Sequence, residues 1–312
     1  MLTRVLLAAV VGCCCASQAS AIPVMYGGLG GHGPGSTSTN DGALVTIDQT
    51  TGDIAVVGHP SGVARLTGIA FDSGGALFGS TVGPISFPPP PQPSTSSLIR
   101  IDPGTGALIS TVGPITEGAG GPAIGIADLA VQPGTGTLFG VLSPVSGGTA
   151  VGNVYTINKN TGVATLVGST GHFFDSIAFA TDGTLYVTAA DLGAMGGEVN
   201  PVLLTVNPAN AQVLKSVPTG EFYGALGVRP SDGTLFAGNG DGGQIFTVNP
   251  TTGAATALAH TTGTNFVGDI DFTSQVTAVP LPPAALSAFA TLIGLLVLRR
   301  VRTEVKPAER RS

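Results

Sequence analysis

From residue 24 to residue 272 the chain alternates short apolar runs with polar turns, and two phrases take turns along it. One is an alternating strand that ends in Asp or Asn: Leu44-Val45-Thr46-Ile47-Asp48, Leu98-Ile99-Arg100-Ile101-Asp102, Val154-Tyr155-Thr156-Ile157-Asn158, Leu203-Leu204-Thr205-Val206-Asn207 and Ile245-Phe246-Thr247-Val248-Asn249. Four residues after the Asp or Asn stands a glycine, except in the fourth copy, where Ala211 takes its place. An Asp or Asn side chain that bonds its own backbone opens a turn, and a glycine at positive φ completes the reversal, so each phrase predicts a hairpin. The other phrase is Ile69-Ala70-Phe71 to Leu77-Phe78-Gly79, with relatives at Leu129 to Gly140, Ile177 to Val187 and Leu226 to Ala237. One second phrase plus the first phrase after it makes four strands in about 45 residues, the period of one propeller blade.

The two ends of this repeat are half-units. Asp269-Ile270-Asp271-Phe272 reads as an inner strand without a hairpin behind it, and Val24-Met25-Tyr26-Gly27 reads like Leu77-Phe78-Gly79 without an inner strand before it. Joined, they complete a fifth blade and remove the free sheet edges. The predicted fold class is therefore all-β, a five-bladed β-propeller closed by its N- and C-terminal strands. A linear β-solenoid is the competing architecture, and it has no use for complementary half-units. Phe87 to Pro93, with five prolines, predicts a stiff surface loop in the first full blade.

The flanks change the picture from a free-standing ring to an exported one. Arg4, an apolar run from Val5 to Gly12, and Ala19-Ser20-Ala21 form the pattern of a signal peptide, with cleavage expected after Ala21. Val10-Val11-Gly12-Cys13 also fits a lipoprotein box, so a lipidated Cys13 is an alternative N-terminus. Cys13, Cys14 and Cys15 are the only cysteines, which leaves the mature chain no disulfide and no thiolate metal site. At the other end Leu281 to Leu298 carries no charge and runs into Arg299, Arg300 and Arg302. Eighteen residues of helix span about 27 Å, enough for a bilayer, with the basic cluster on the cytoplasmic side. The expected organisation is a signal peptide at 1–21, a propeller at 22–275, a sorting segment at 276–302 with a membrane helix at 281–298, and a basic cytoplasmic tail at 303–312.

Between residues 22 and 278 stand five basic and sixteen acidic residues, a net −11 that argues against nucleic acid or an anionic membrane surface as a partner of the ring. Tryptophan is absent, and Gly, Ser, Thr, Ala and Val dominate, as short strands joined by tight turns require.

Candidate chemistry is thin. No Gly-x-Ser-x-Gly elbow, His-Glu-x-x-His helix or phosphate loop is present, and Gly27 to Gly31 opens no helix. Asn239-Gly240-Asp241-Gly242 lacks the downstream Glu of a calcium loop. The five loops that lead from an outer strand to the next inner strand each carry one titratable side chain: His59, Glu117, His172, Glu221 and His260. Three imidazoles and two carboxylates round a channel mouth could bind a divalent metal. Only His172 and Glu221 share a register, each seven residues before the inner-strand positions Phe179 and Val228. Solvated loop residues are the plainer reading of all five.

Val279-Pro280-Leu281-Pro282, an apolar span and Arg299-Arg300-Val301-Arg302 together resemble the PEP-CTERM sorting signal of Gram-negative bacteria, over about the last thirty residues. Leu281 stands where that family commonly has Glu. The resemblance implies processing by an exosortase near Pro280 to Pro282, after signal peptidase at the other end, and an association with the cell envelope or extracellular polysaccharide. On these grounds the expected function is a surface-anchored or secreted non-enzymatic binding or structural module without a cofactor, not an enzyme. The alternative is a metal-dependent hydrolase or lyase on the loop face, centred on His172 and Glu221.

Overall fold

The computed structural model describes residues 22–273 apart from 31–39, 83–94, 143–144, 147–148, 151, 193–197, 240–242 and 260–266. The expected signal peptide, sorting segment and membrane helix lie outside the described residues, as do the proline-rich stretch and His260. No helix among the described residues is long and apolar enough to cross a membrane.

The strands in chain order are β1 (Met25–Leu29), β2 (Leu44–Ile47), β3 (Ile54–Gly58), β4 (Leu66–Phe71), β5 (Leu77–Val82), β6 (Ser96–Ile101), β7 (Leu108–Pro114) and the short β8 (Thr116–Glu117). They continue with β9 (Asp128–Val131), β10 (Leu138–Leu142), the short β11 (Val145–Ser146) and β12 (Thr149–Ala150), β13 (Asn153–Ile157), β14 (Val163–Ser169), β15 (Phe173–Phe179) and β16 (Leu185–Leu192). The last are β17 (Glu198–Val206), β18 (Val213–Pro218), β19 (Ala225–Val228), β20 (Leu235–Gly238), β21 (Ile245–Val248), β22 (Ala255–Ala257) and β23 (Val267–Phe272).

These strands make five antiparallel blades. Blade 1 is β4 to β7, blade 2 is β9, β10, β13 and β14 with β8 added in parallel, blade 3 is β15 to β18, and blade 4 is β19 to β22. Blade 5 has the order β23-β1-β2-β3, so its inner strand comes from the C-terminal end and its other three from the N-terminal end. The register places Met25 opposite Phe272 and Tyr26 opposite Asp271. Val24 and Thr273 extend the same ladder by two more hydrogen bonds. Inner strands β23, β4, β9, β15 and β19 pack in that circular order, and β19 meets β23 again, so the ring is closed. The five-bladed, terminally closed propeller expected from the half-units is the architecture observed.

Turn chemistry explains the hairpins. Oδ1 of Asp48, Asp102, Asn158, Asn207 and Asn249 each accepts a backbone N–H two residues on, at 2.8 to 2.9 Å. The residue four positions on is left-handed in all five, with φ between +68° and +80° at the four glycines and +58° at Ala211. Ala211 holds this conformation with its side chain 1% exposed between blades 2 and 3, where burial of its methyl group offsets a backbone that an L-residue adopts at some expense. Five apolar clusters fill the molecule, one at each seam between neighbouring blades. Stability therefore resides in the seams, and the outer strands, such as β22 with all three side chains exposed, contribute little.

Candidate functional site

Pairing with the second strand of each blade aligns the five inner strands residue for residue. Gly68, Asp128, Ser176, Ala225 and Asp269 occupy one position, and Ala70, Ala130, Ala178, Gly227 and Asp271 occupy the position two further on. Opposite the latter stands an aromatic ring in every blade: Phe78, Phe139, Tyr186, Phe236 and Tyr26. Side chains at both positions are small, except for three aspartates.

Each of those carboxylates caps backbone N–H groups that the inner edge of a blade leaves without a strand partner. Asp269 accepts from Ile69 of blade 1 at 2.5 Å and from Ile270 at 2.5 Å. Asp271 accepts from Phe71 of blade 1 at 2.6 Å and from Phe272 at 2.8 Å. Asp128 accepts from Ile177 of blade 3 at 2.7 Å, from Leu129 at 2.6 Å and from the Ser176 hydroxyl. Unpaired edge amides in a dry interior are costly, and a carboxylate is the strongest acceptor available to them.

Asp128 and Asp269 lie close enough across the channel to act on each other, and two such carboxyl groups do not readily ionise together. Burial pushes both well above the usual carboxylate range, and for Asp269 the neighbouring Asp128 adds to the rise. Gly68, between them in the ring, makes room: a Cβ there would lie 2.6 Å from the Leu129 nitrogen and 2.9 Å from the Asp128 carbonyl carbon.

Asp271 differs in keeping part of its surface open. It forms the floor of a cavity of about 390 Å³ at the mouth of the channel, where the inner strands end. Phe71, Val131, Phe179, Val228 and Phe272, one from each blade, make the apolar wall, and the turns that follow add Asp72, Ser73, Gln132, Thr135 and Thr181. Below it the channel narrows to a space of about 30 Å³ between Ile177, Ile270 and Asp271, room for about one water. Burial raises the Asp271 carboxyl to about 7, against the opposing pull of the Phe71 and Phe272 amides. A carboxyl that changes charge near neutral pH in a concave, mostly apolar site has the properties of a general acid or base.

The cavity is at the opposite end of the channel from the loops singled out in the sequence. On those loops His59 and Glu221 are exposed, and Glu117 accepts from the Tyr155 hydroxyl at 3.4 Å. His172 Nδ1 lies 3.2 Å from Asp191, whose other oxygen accepts from Asn200 at 3.2 Å. His172 and Glu221 do repeat one local turn, after Gly171 and Gly220 with φ of +79° and +76°, but they engage different neighbours. Among the described residues no group of three or more His, Cys, Asp or Glu could hold a metal ion. The sequence did not single out the channel aspartates, although a signal existed: Asp271 is the one charged residue at a repeat position otherwise filled by Ala or Gly.

No family model and no curated protein matches the chain. Among solved structures it is similar to a nidogen/laminin complex component, at TM-score 0.48 and 10% identity over 81% of this chain and 98% of that one. It is also similar to the periplasmic gluconolactonase of Pseudomonas aeruginosa, at TM-score 0.39 and 13% identity over 80% and 99% of the two chains. A candidate 6-phosphogluconolactonase of Bacteroides fragilis gives TM-score 0.43 and 13% identity over 81% and 99%. Propellers named as lactonases are among these structures, which stands against the expectation of a non-enzymatic binding or structural module and of a protein that is not an enzyme. The likeness at this distance extends to the fold, so what the site does rests on its own residues.

Proposed function

We propose that the ring is a hydrolase of small esters or lactones, working in the channel-mouth cavity with Asp271 as the group that moves the proton. One observation carries the reading: Asp271 forms the floor of the cavity, where burial raises its carboxyl to about 7 against the pull of two backbone amides. Each Asp271 oxygen spends one lone pair on a backbone amide and keeps another. In its ionised form Asp271 takes a proton from water as the water oxygen adds to the acyl carbon. Collapse of the tetrahedral adduct then breaks the acyl C–O bond, and the proton on Asp271 passes to the departing oxygen. Gln132, Thr135 and Thr181 on the cavity wall supply neutral donors for the developing oxyanion.

Export belongs to the same proposal, supported by the signal pattern ending at Ala21 and by the resemblance of residues 279–302 to a sorting signal. Signal peptidase and an exosortase are the proposed processing partners, and the mass of the mature protein from its native host tests both cuts. The test of the activity is a pH–rate profile of the purified full chain on a panel of lactones and carboxylic esters. The expected result is an inflection near pH 7 and a loss of about 10² or more in kcat for Asp271→Asn. No turnover of any member by the unaltered chain overturns the reading.

A further inference from the structure

Charge is distributed unevenly round the cavity. Its lining contains two carboxylates, Asp72 and Asp271, and no lysine, arginine or histidine. The polar remainder of the rim is neutral: Ser73, Gln132, Thr135 and Thr181. All five Lys and Arg residues described in the ring already have partners, including Lys159, which Asp72 holds beside the rim. Lys159 lies 3.5 Å from Asp72 and over the Phe78 ring, 5.7 Å from its centre. Arg229 forms a two-pronged pair with Asp232, at 2.9 and 2.6 Å. Arg100 covers the Phe78 ring at 5.9 Å, Lys215 donates to the Thr251 carbonyl at 3.0 Å, and Arg65 has partners of its own.

We infer that the substrate of this cavity is an uncharged, hydroxylated ring compound, and that the cavity rejects the same compound once it bears a phosphate or a free carboxylate. The inference rests on the hydrolase reading and adds the substrate class to it. Five apolar side chains converging from five blades offer one face of a small ring a dry surface, while the amide and hydroxyl groups of the rim match its hydroxyls. An anionic substituent would meet the Asp271 carboxylate, while Lys159, the cation beside the rim, is already paired with Asp72, and like charges at close range in a partly dry site are strongly unfavourable. The same arrangement favours turnover. Opening a neutral lactone or ester creates a carboxylic acid that ionises at once, so the reaction converts a tolerated ligand into one that Asp271 repels. Product leaves because of the charge that hydrolysis gave it.

The experiment uses the full chain with glucono-1,5-lactone, its 6-phosphate, and gluconate as the hydrolysed acid. Rates are followed by proton release and binding by calorimetry. The expected result is a kcat/KM at least about tenfold higher for the neutral lactone and weaker binding of gluconate than of the lactone by a similar factor. Thr181→Lys, which places a cation at the rim, should narrow the preference between the neutral and phosphorylated lactones several-fold. Equal or better hydrolysis of the phosphorylated lactone overturns the inference. If neither lactone is hydrolysed, the hydrolase reading fails while binding still decides this one. Tighter binding of the neutral compound then sustains it, and equal binding, or none, overturns it.

Discussion

Asp269 and Asp271 stand two residues apart on β23, point to the same side, and cap edge amides of the same neighbouring strand, yet they sit in different surroundings. Asp269 is fully buried, and burial and the neighbouring Asp128 hold its carboxyl well above the usual range. Asp271 opens on the cavity. The difference separates two uses of one residue type. Deep in the channel a carboxyl binds blade 5 to blade 1, as Asp128 binds blade 2 to blade 3. At the mouth the same arrangement, with solvent on one side, yields a group able to exchange protons with a ligand. Other seams close without a carboxylate at these inner-strand positions. A Cβ on Gly68 would collide with blade 2, and one on Gly227 would lie 2.6 Å from Ile270 of blade 5, so there the inner strands simply come together.

Removing the deep carboxyl should have the largest effect. Asp269→Ala leaves the buried Ile69 and Ile270 amides without acceptors and opens a space beside Asp128. At about 1–3 kcal/mol for each unsatisfied buried group, a loss of about 3–5 kcal/mol is expected in urea unfolding of the full chain. A loss below about 1 kcal/mol would mean that the channel is wet and the pair is not a staple.

The protons held by these acids make the second effect. The folded ring retains a proton on the Asp128–Asp269 pair, and Asp271 titrates at about 7, whereas an unfolded aspartate titrates near 3.9. Between those limits the folded state binds more protons than the unfolded one, so its stability falls as pH rises. The slope is about 1.4 kcal/mol per pH unit for each extra proton, and the contribution is fully present only below about pH 4. Asp48, Asp182 and Asp232, whose amide and arginine partners lower them, act in the opposite sense but only in more acid solution. Urea midpoints at pH 5, 6, 7 and 8 should decline in that order; a flat or rising series contradicts the buried protons.

A seam closed by glycine gives a smaller change. Gly68→Ala forces a methyl group against the Leu129 nitrogen and the Ser80 hydroxyl, 2.6 and 2.8 Å away, and overpacking of this kind costs about 1–3 kcal/mol. Unfolding of the variant with an unchanged midpoint would show that blades 1 and 2 can slide apart freely.

How far the sequence led follows from the range of the signals involved. Hairpins, blade period and the joining of Tyr26 to Phe272 were legible because each depends on residues close together or on complementary ends. The aspartates were not, because Asp128, Asp269 and Ile69 meet only after the ring closes across some two hundred residues, and Asp269-Ile270-Asp271-Phe272 passes as an ordinary inner strand until its register against four other blades is known. The face of the cavity was equally hidden. Loops with His and Glu drew the eye to one mouth, while the cavity formed where the turns after Phe71, Val131 and Phe179 stand apart at the other.

The smallest effect is expected for Asp271→Ala, and it tests the contrast most directly. The substitution installs the residue that blades 1, 2 and 3 already have at this position, Ala70, Ala130 and Ala178. It uncovers the Phe71 and Phe272 amides, but at the edge of a cavity that water can enter, so solvent replaces the lost acceptor and the stability change should stay within about 1 kcal/mol. Hydrolysis, in contrast, should disappear, since no other titratable group lies on the cavity floor. A variant as unstable as Asp269→Ala would show that Asp271 is a second staple and that its place at the mouth is incidental. One that is stable and inactive would leave proton transfer as the reason an acid interrupts a row of small residues.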